Sequence, residues 1–375
     1  MKVKIKAQHC FQGPPEVRGG IRRYIDSLLQ SEHELCSSTL ISNLDGIDQS
    51  EFDLLHVHQQ PLLWQVNGEC PIVFTLHNHS PYCPSGTRYL ASSQQPCDRL
   101  LSISGCTWGH LIDGCGSRKP QKIVKGFINT FRDKEIILKH QISVIAISQY
   151  VKNQLIELGI PQTQIFLLHH GIPTPNIEFT PISPDTHRQQ RILYVGRVVP
   201  YKGLDWLLKA LAHVNPQIHL DIAGSGWAQS DMKKLAKQLG VDKRITWHGW
   251  CNQTQLDTLY EQCIALILPS IWHEPAGLVS LEGYARYRPV IASASGGISD
   301  YVLNNKTGIL VPPNDVSRLA QAISYLSERY CLCKKMGLEG YELTLSKFSL
   351  QNHMHNLHFI YEESRRKFHN KQTLK

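Results

Sequence analysis

The chain has 375 residues, a formal net charge of +8, 42% hydrophobic residues and 19% charged residues. This composition is ordinary for globular proteins and excludes the disordered and fibrous classes, while the length suggests two or three domains. No apolar run reaches the roughly 18–20 residues of a membrane-spanning helix, which also argues against an integral membrane protein.

The N-terminal residues and the cysteines bear on the cellular compartment. Residues 1–6 alternate charged and apolar side chains, and no apolar segment typical of a signal peptide follows them. The eleven cysteines are odd in number and scattered, and they include no Cys-x-x-Cys pair, so a secreted disulfide framework is not expected. We therefore expect a cytoplasmic protein with reduced thiols.

Short apolar segments alternate with helical segments along the whole chain, a pattern typical of α/β layers with parallel sheets. The predicted strands lie at residues 3–7, 52–57, 72–76, 143–147, 164–168, 192–195, 218–222, 245–247, 265–268, 290–292 and 308–311. A proline-rich stretch at 171–191 separates two halves and is a poor helix or central strand. We predict one domain over 1–180 and another over 190–345, with ligands bound where strands lead into helices.

Two cations follow the first predicted strand of the second half. Arg197 and Lys202 lie five residues apart in a loop that leads into a helix predicted over 204–211. Arginine supplies a fork of donors and lysine a compact charge, so this pair beside a helix N-terminus suits a diphosphate. Two solvated loop cations are the alternative.

Two carboxylates follow the predicted strand 265–268. Glu274 lies in the loop after the strand, and Glu282 falls about one turn into the next helix. Small residues there, Gly277 among them, would let amides at the helix start approach a phosphate. Glu282 could instead only complement the helix dipole, an alternative that does not account for Glu274.

Two further patterns lie in the first half. Gly19 and Gly20 precede a predicted helix and would give an amide-lined turn able to take a phosphate. His77 follows a predicted strand, where it could hydrogen-bond a sugar hydroxyl or share a proton, although a core histidine bonded to backbone is the alternative. His56 and His58 on a neighbouring strand would form a histidine cluster, and their spacing leaves metal binding open.

A stretch rich in glycine, proline and cysteine covers residues 81–119. Its four thiols could hold a zinc ion, although gaps of 13, 8 and 8 residues lack the usual paired knuckles. Ordinary half-buried thiols are the alternative. The four candidate zinc ligands are Cys83, Cys97, Cys106 and Cys115.

The positive charge has two clear concentrations. Apolar side chains repeat at helical spacing from Ile123 to Phe131, with Lys122 and Lys125 beside them, and the C-terminal tail is also basic. Such a helix could rest on an anionic membrane surface near a lipid-linked acceptor, whereas packing against the core is the alternative. The tail equally fits a solvated end. A nucleic-acid partner is not expected, because no binding motif accompanies the charge.

With these motifs the chain resembles glycosyltransferase family 4, the "glycosyl transferases group 1". In the second half the resemblance rests on Gly196-Arg197, Lys202-Gly203, the Glu274 and Glu282 pair, and residues 308–315. In the first half it rests on residues 18–20, 56–58, 75–78 and 170–173. The Cys-rich stretch is not a family element that we recognise.

The resemblance implies a GT-B fold, that is, two Rossmann-like domains facing across a cleft, with a C-terminal helix in 346–375 that crosses back to the first domain. It implies metal-independent, retaining transfer from a nucleoside-diphosphate sugar to a hydroxyl of a glycan, a lipid-linked molecule or a small molecule. It also implies roles for individual residues: Arg197 and Lys202 on the diphosphate, Glu274 on the donor sugar, Glu282 on the ribose, amides of Leu278 and Val279 at the helix start, Gly20 near the phosphates and His77 near the transferred sugar.

Two other classes of function remain open from the sequence. A sugar phosphorylase or a nucleotide-sugar epimerase would share the fold but give different products. A non-catalytic partner that binds sugar nucleotides would bind the donor without turnover. Retention of both Glu274 and Glu282 argues against this second class.

Overall fold

The computed structural model describes residues 4–12, 20–31, 34–44, 51–175 and 178–373. The strands in chain order are β1 (Ile5–Cys10), β2 (Cys36–Ile41), β3 (Leu54–Val57), β4 (Ile72–Leu76), β5 (Tyr89–Leu90), β6 (Gln95–Pro96), β7 (Ser143–Ala146), β8 (Ile165–Leu167), β9 (Arg191–Val195), β10 (His219–Ala223), β11 (Ile245–Gly249), β12 (Ala265–Leu268), β13 (Val290–Ser293) and β14 (Gly308–Val311).

The helices in chain order are α1 (Gly20–Gln30), α2 (Gln60–Leu63), α3 (Ile103–Leu111), α4 (Pro120–Lys139), α5 (Gln149–Glu157), α6 (Pro184–Arg188), α7 (Leu204–Leu211), α8 (Gln229–Gln238), α9 (Gln253–Gln262), α10 (Leu278–Tyr284), α11 (Ile298–Tyr301), α12 (Val316–Ser327), α13 (Tyr330–Ser346) and α14 (Leu350–Thr373). Among these described helices, none is both long enough and apolar enough to cross a bilayer.

The chain divides into two compact units. The first unit comprises Met1–Arg88, Asp98–Pro173 and Phe348–Lys375, and the second comprises Tyr89–Cys97 and Thr174–Lys347. The expectation that all of 81–119 belongs to the first domain is wrong for residues 89–97. Tyr89 is buried in the apolar core of the second unit. In the same segment, the backbone carbonyl of Gln94 accepts a hydrogen bond from Asn314 Nδ2.

The first unit contains a six-stranded parallel sheet in the order β2-β1-β3-β4-β7-β8. The central strands β4 and β7 are buried along their whole length, as expected for strands covered on both faces. β2 is not among the strands predicted from the sequence. This edge strand reads Cys-Ser-Ser-Thr-Leu-Ile and is mostly half-buried, so it lacks the continuous apolar run that marks the inner strands.

The second unit contains a six-stranded parallel sheet in the order β11-β10-β9-β12-β13-β14. All six of its strands were predicted, because each has an apolar run flanked by turn residues. Its strand order reverses between β9 and β12. In open parallel sheets, ligands bind outside the carboxyl ends of the strands at such a reversal.

Candidate functional site

The loops that follow β9 and β12 carry the second unit's predicted site residues. β9 and β12 are hydrogen-bonded neighbours with parallel register, for example Tyr194 beside Ile267. Their carboxyl ends therefore lie side by side, which brings the loop of Arg197 and Lys202 next to the loop of Glu274. The sheet topology gathers chain segments that lie more than 70 residues apart.

Lys202 and Glu274 form an ion pair between Nζ and Oε1. The two side chains are only 18% and 10% exposed. Ser270 Oγ donates a second hydrogen bond to the same carboxylate oxygen at 2.6 Å, and the Lys202 ammonium lies 5.1 Å from the centre of the Trp272 ring. The family resemblance implies that these two residues contact different parts of the donor, whereas the structure joins them directly.

Glycines at two positions hold these loops where they are. Gly203 follows Lys202 with φ +69°, and a Cβ there would lie 1.8 Å from the carbonyl oxygen of Pro269. Gly296 has φ +63°, and a Cβ there would lie 2.3 Å from the carbonyl oxygen of Glu274. Both positions need a left-handed backbone and close approach, which only glycine allows without strain. In the sequence, Gly203 stands within a motif without an evident role, and no pattern points to Gly296 or Ser270.

Arg197 extends from the same loop and is exposed. Its guanidinium carbon lies 5.6 Å from the centre of the Tyr201 ring. The hydroxyl of Tyr194 donates a hydrogen bond to the Arg197 carbonyl at 2.8 Å and so fixes the backbone before the side chain. Burial, and next the Glu274 carboxylate, raise the pKa of Tyr194 well above its usual value, which keeps this hydroxyl a donor.

Gly196 packs tightly against the loop that contains Gly224 and Gly226. The Gly196 amide donates to the Ala223 carbonyl at 3.0 Å, and a Cβ on Gly224 would lie 1.8 Å from the Gly196 carbonyl oxygen. Gly226 packs in the same way against the Val198 carbonyl. These close contacts fix the backbone of the loop that carries Arg197 and Lys202.

The helix α10 begins at Leu278, with Val279 next and Gly277 as its N-terminal cap. Glu282 is the fifth residue of this helix and is half-buried. The Tyr260 hydroxyl donates a hydrogen bond to its Oε2 at 3.2 Å, an interaction that the sequence did not reveal. Burial first, and then the Glu282 carboxylate, raise the pKa of Tyr260 well above its usual value.

In the first unit, the histidines lie where β1, β3 and β4 end. His77 directly follows β4, and its Nε2 lies 3.1 Å from Nδ1 of His58. Gly20 is the first residue of α1. Gly19 lies outside the residues that the structure describes.

The four candidate zinc ligands are not brought together. Cys97 belongs to the second unit, whereas Cys83, Cys106 and Cys115 belong to the first. The Cys83 thiol bonds to Ser85 Oγ at 3.2 Å. Within the described residues, the set of potential ligand atoms that lies within 4.8 Å is instead His9, His56 and His58. The packing thus gives no support to the predicted cysteine site.

The architecture and the site define a class: a two-unit α/β protein with cations and carboxylates at a strand-order reversal. Residues 177–343 match the family model "Glycosyl transferases group 1", and residues 34–175 match "Glycosyltransferase Family 4". The two matches together span most of the chain, which therefore belongs to the glycosyltransferase family that these two models describe.

Among curated proteins, the chain is 34% identical over 190 residues to a D-inositol 3-phosphate glycosyltransferase of Mycolicibacterium smegmatis, covering 47% of this chain and 43% of that protein. It is 28% identical over 193 residues to an uncharacterized glycosyltransferase of Methanocaldococcus jannaschii, covering 48% and 49%. The alignments thus span about half the length of these relatives.

Solved structures share the GT-B fold. HepE of Anabaena, solved in complex with UDP, matches with a TM-score of 0.70 and 18% identity, covering 94% of this chain and 98% of that one. A sucrose-phosphate synthase of Thermosynechococcus elongatus matches with a TM-score of 0.69 and 20% identity, covering 96% and 99%. The fold predicted from the sequence is confirmed.

Proposed function

We propose that this protein transfers a sugar from a nucleoside-diphosphate sugar to an acceptor hydroxyl, with retention of the anomeric configuration. The observation that carries the proposal is the convergence of Arg197, Lys202 and Glu274 at the carboxyl ends of β9 and β12. Family membership supports it. The solved relative HepE, in structures with UDP and with UDP-glucose, makes a uridine diphosphate sugar the first donor to test.

The chemistry that this site can supply is stabilisation of a leaving diphosphate. As the bond to the sugar breaks, negative charge builds on the phosphate, and the two cations are placed to neutralise it. Amides of Leu278 and Val279, after Gly277, would add donors at the start of α10. The positive charge of these side chains makes the transfer metal-independent in our proposal.

The Lys202–Glu274 ion pair defines what the donor must do on binding. The diphosphate competes with the Glu274 carboxylate for the ammonium, and a released carboxylate can accept hydrogen bonds from sugar hydroxyls. Glu282 would bind the ribose hydroxyls in the same way. The leaving phosphate would take the acceptor proton, so no protein base is required. His77 and Gly20, with Gly19 before it, would serve the donor from the first unit.

For the acceptor we propose a glycan or a lipid-linked molecule, reached by a protein that works in the cytoplasm at the inner membrane surface. The eleven cysteines are scattered along the sequence and include no Cys-x-x-Cys pair, which supports a reducing compartment in our proposal. A surface formed by α3, α4 and the segments beside them supports the membrane contact. We call it the α3–α4 surface, and its exposed apolar residues are Leu100, Ile103, Trp108, Leu111, Ile112, Val124, Ile128 and Phe131.

These eight side chains are more than half of the large apolar side chains exposed in the described residues. Trp108 is 58% exposed and Ile128 is 59% exposed. Ile123, which the sequence analysis placed in the membrane-facing stripe, is buried, so the helix uses one face for the core and another for solvent. We propose that these side chains together form one apolar interaction surface.

The charge on the α3–α4 surface selects an anionic partner. Residues 100–132 contain five lysine and arginine residues and one carboxylate, Asp113, which is already paired with Arg99 at 2.6 Å. Each basic residue near an anionic bilayer contributes about 1 kcal/mol. A cavity of about 440 Å³ with a mixed lining, which includes Leu100 and Phe131 but also Lys134 and Glu157, opens beside these residues.

The experiment is analysis of products from purified protein with UDP-glucose and other sugar nucleotides. Mass spectrometry should detect a glycosylated acceptor and free nucleoside diphosphate, and NMR of the product should show the donor's anomeric configuration. Cleavage that requires inorganic phosphate, or an epimerised donor, would favour the alternative enzymes. Donor binding without turnover on a broad set of acceptors would favour a non-catalytic partner.

A further inference from the structure

Six histidines crowd the carboxyl edge of the first unit's sheet: His9, His56, His58, His77, His170 and His353. The proposed transfer uses only His77. All except His77 are buried, and His77 itself is half-buried. Burying polar rings is costly unless their nitrogens are hydrogen-bonded. The hydrogen-bond partners of these histidines therefore indicate how the cluster is held together.

Three of the rings form a continuous hydrogen-bonded chain. Ser38 Oγ lies 3.2 Å from Nε2 of His9, and Nδ1 of His9 lies 3.0 Å from Nε2 of His58. Nδ1 of His58 in turn lies 3.1 Å from Nε2 of His77. The chain therefore runs from the edge strand β2, through β1 and β3, to the residue after β4.

The three rings are neutral at physiological pH. Burial lowers the pKa of His9 and of His77 to about 3, and it holds the pKa of His58 well below its usual value. A neutral imidazole carries one N–H and one acceptor nitrogen. Because each bond in the chain needs one proton, all three rings must be Nδ1–H tautomers or all three must be Nε2–H tautomers.

We propose that His9 and His58 are positioning residues that set, through this chain, whether Nδ1 of His77 donates or accepts a hydrogen bond. This inference rests on the proposed function, in which His77 contacts the transferred sugar. A sugar hydroxyl can take either role, so the state of Nδ1 fixes which orientation of the hydroxyl binds best. His9 and His58 thus determine the preferred orientation of the sugar hydroxyl without touching the sugar themselves.

A metal ion held by His9, His56 and His58 is the competing interpretation of the same cluster. The hydrogen bonds favour the chain. His56 is bonded to Thr75 Oγ1 at 2.6 Å through one nitrogen and to the Tyr361 hydroxyl at 2.7 Å through the other. A metal would have to displace one of these hydroxyls and break the bond between His9 and His58.

The decisive measurement is a long-range ¹H–¹⁵N spectrum of the ligand-free protein labelled with ¹⁵N-histidine, assigned with single histidine variants. We expect His9, His58 and His77 to show one common tautomer. Different tautomers among the three would overturn the proposal, as would about one metal ion per chain in the purified protein by elemental analysis. This result does not depend on any activity.

A variant pair tests the functional consequence. In His58→Phe the partner of Nε2 of His77 is lost, so His77 should no longer be held in the wild-type tautomer. The affinity for UDP-glucose should fall about tenfold, while the affinity for UDP stays unchanged. The matched control His56→Phe removes a buried ring outside the chain and should leave the His77 tautomer as it was. An unchanged His77 signal in His58→Phe would contradict the proposal. If neither UDP-glucose nor UDP binds the wild type, the proposed function fails while the tautomer result stands.

Discussion

The partly buried ion pair between Lys202 and Glu274 depends on both of its charges. Removing one partner would leave the other charge partly buried and unpaired, which is costly, so the pair is stable only while both are present or a ligand replaces one of them. A diphosphate can replace Glu274 on the ammonium. In the proposed function, the pair would hold the lysine in place for the phosphate before the donor arrives, and Ser270 would hold the carboxylate through the exchange.

The geometry of Lys202 depends on Gly203, and a matched pair of substitutions measures this. Gly203 and Gly240 have nearly the same left-handed backbone, with φ +69° and +68°, but a Cβ at Gly240 meets nothing within 4 Å. Gly240→Ala should cost about 1–2 kcal/mol of unfolding free energy from backbone strain alone. Gly203→Ala should cost at least about 2 kcal/mol more, because the backbone must move away from Pro269.

Chemical denaturation of both variants gives these two free energies directly. Equal losses of stability in the two variants would show that the contact with Pro269 does not constrain the loop. A larger loss in Gly203→Ala would assign the excess to that contact.

At the scale of elements, the parallel strands were the most predictable part of the molecule. β12 and β13 are short, mostly apolar runs between turn residues, and their length and flanking residues identify them without tertiary information. β2 was missed because its serines are tolerated at a half-exposed edge. The Lys202–Glu274 contact was missed for another reason: which loops become neighbours depends on strand order, and single-sequence patterns do not encode that order.

The α3–α4 surface makes a prediction at the same scale. Wild-type protein should sediment with vesicles that contain anionic phosphatidylserine and not with neutral phosphatidylcholine vesicles. Trp108→Glu should reduce this binding at least about tenfold, because it removes an apolar anchor and adds repulsion. The matched control Trp227→Glu alters a tryptophan that is 73% exposed in the second unit and should bind as the wild type does.

Charge is tested by a second pair of variants. Lys122→Glu with Lys125→Glu should also abolish sedimentation, whereas Lys334→Glu with Lys335→Glu, two exposed lysines on α13, should not. Equal effects of the two double variants would mean that net charge, rather than this surface, controls binding. Equal binding to neutral and anionic vesicles would reject the lipid partner.

At the scale of the whole molecule, each unit builds its candidate site by the same rule. In the second unit the residues follow β9 and β12, where the strand order reverses, and in the first unit they follow β1, β3 and β4. The class of protein could be predicted because the motifs lie at these strand ends. The six-histidine cluster could be only partly predicted, since His170 and His353 reach it from distant parts of the chain.

The proposed function requires the second unit to bind the diphosphate of a sugar nucleotide through Arg197 and Lys202. Isothermal titration calorimetry with UDP, GDP and ADP tests this most directly. At least one nucleoside diphosphate should bind the wild type, and Arg197→Ala and Lys202→Ala should each weaken that binding roughly tenfold to a hundredfold. Lys209→Ala removes a lysine that pairs with Asp205 at 3.1 Å, and it should bind as the wild type does. Unchanged affinity in both Arg197→Ala and Lys202→Ala, or no binding of any of the three nucleotides to the wild type, would show that these two cations do not form a diphosphate site.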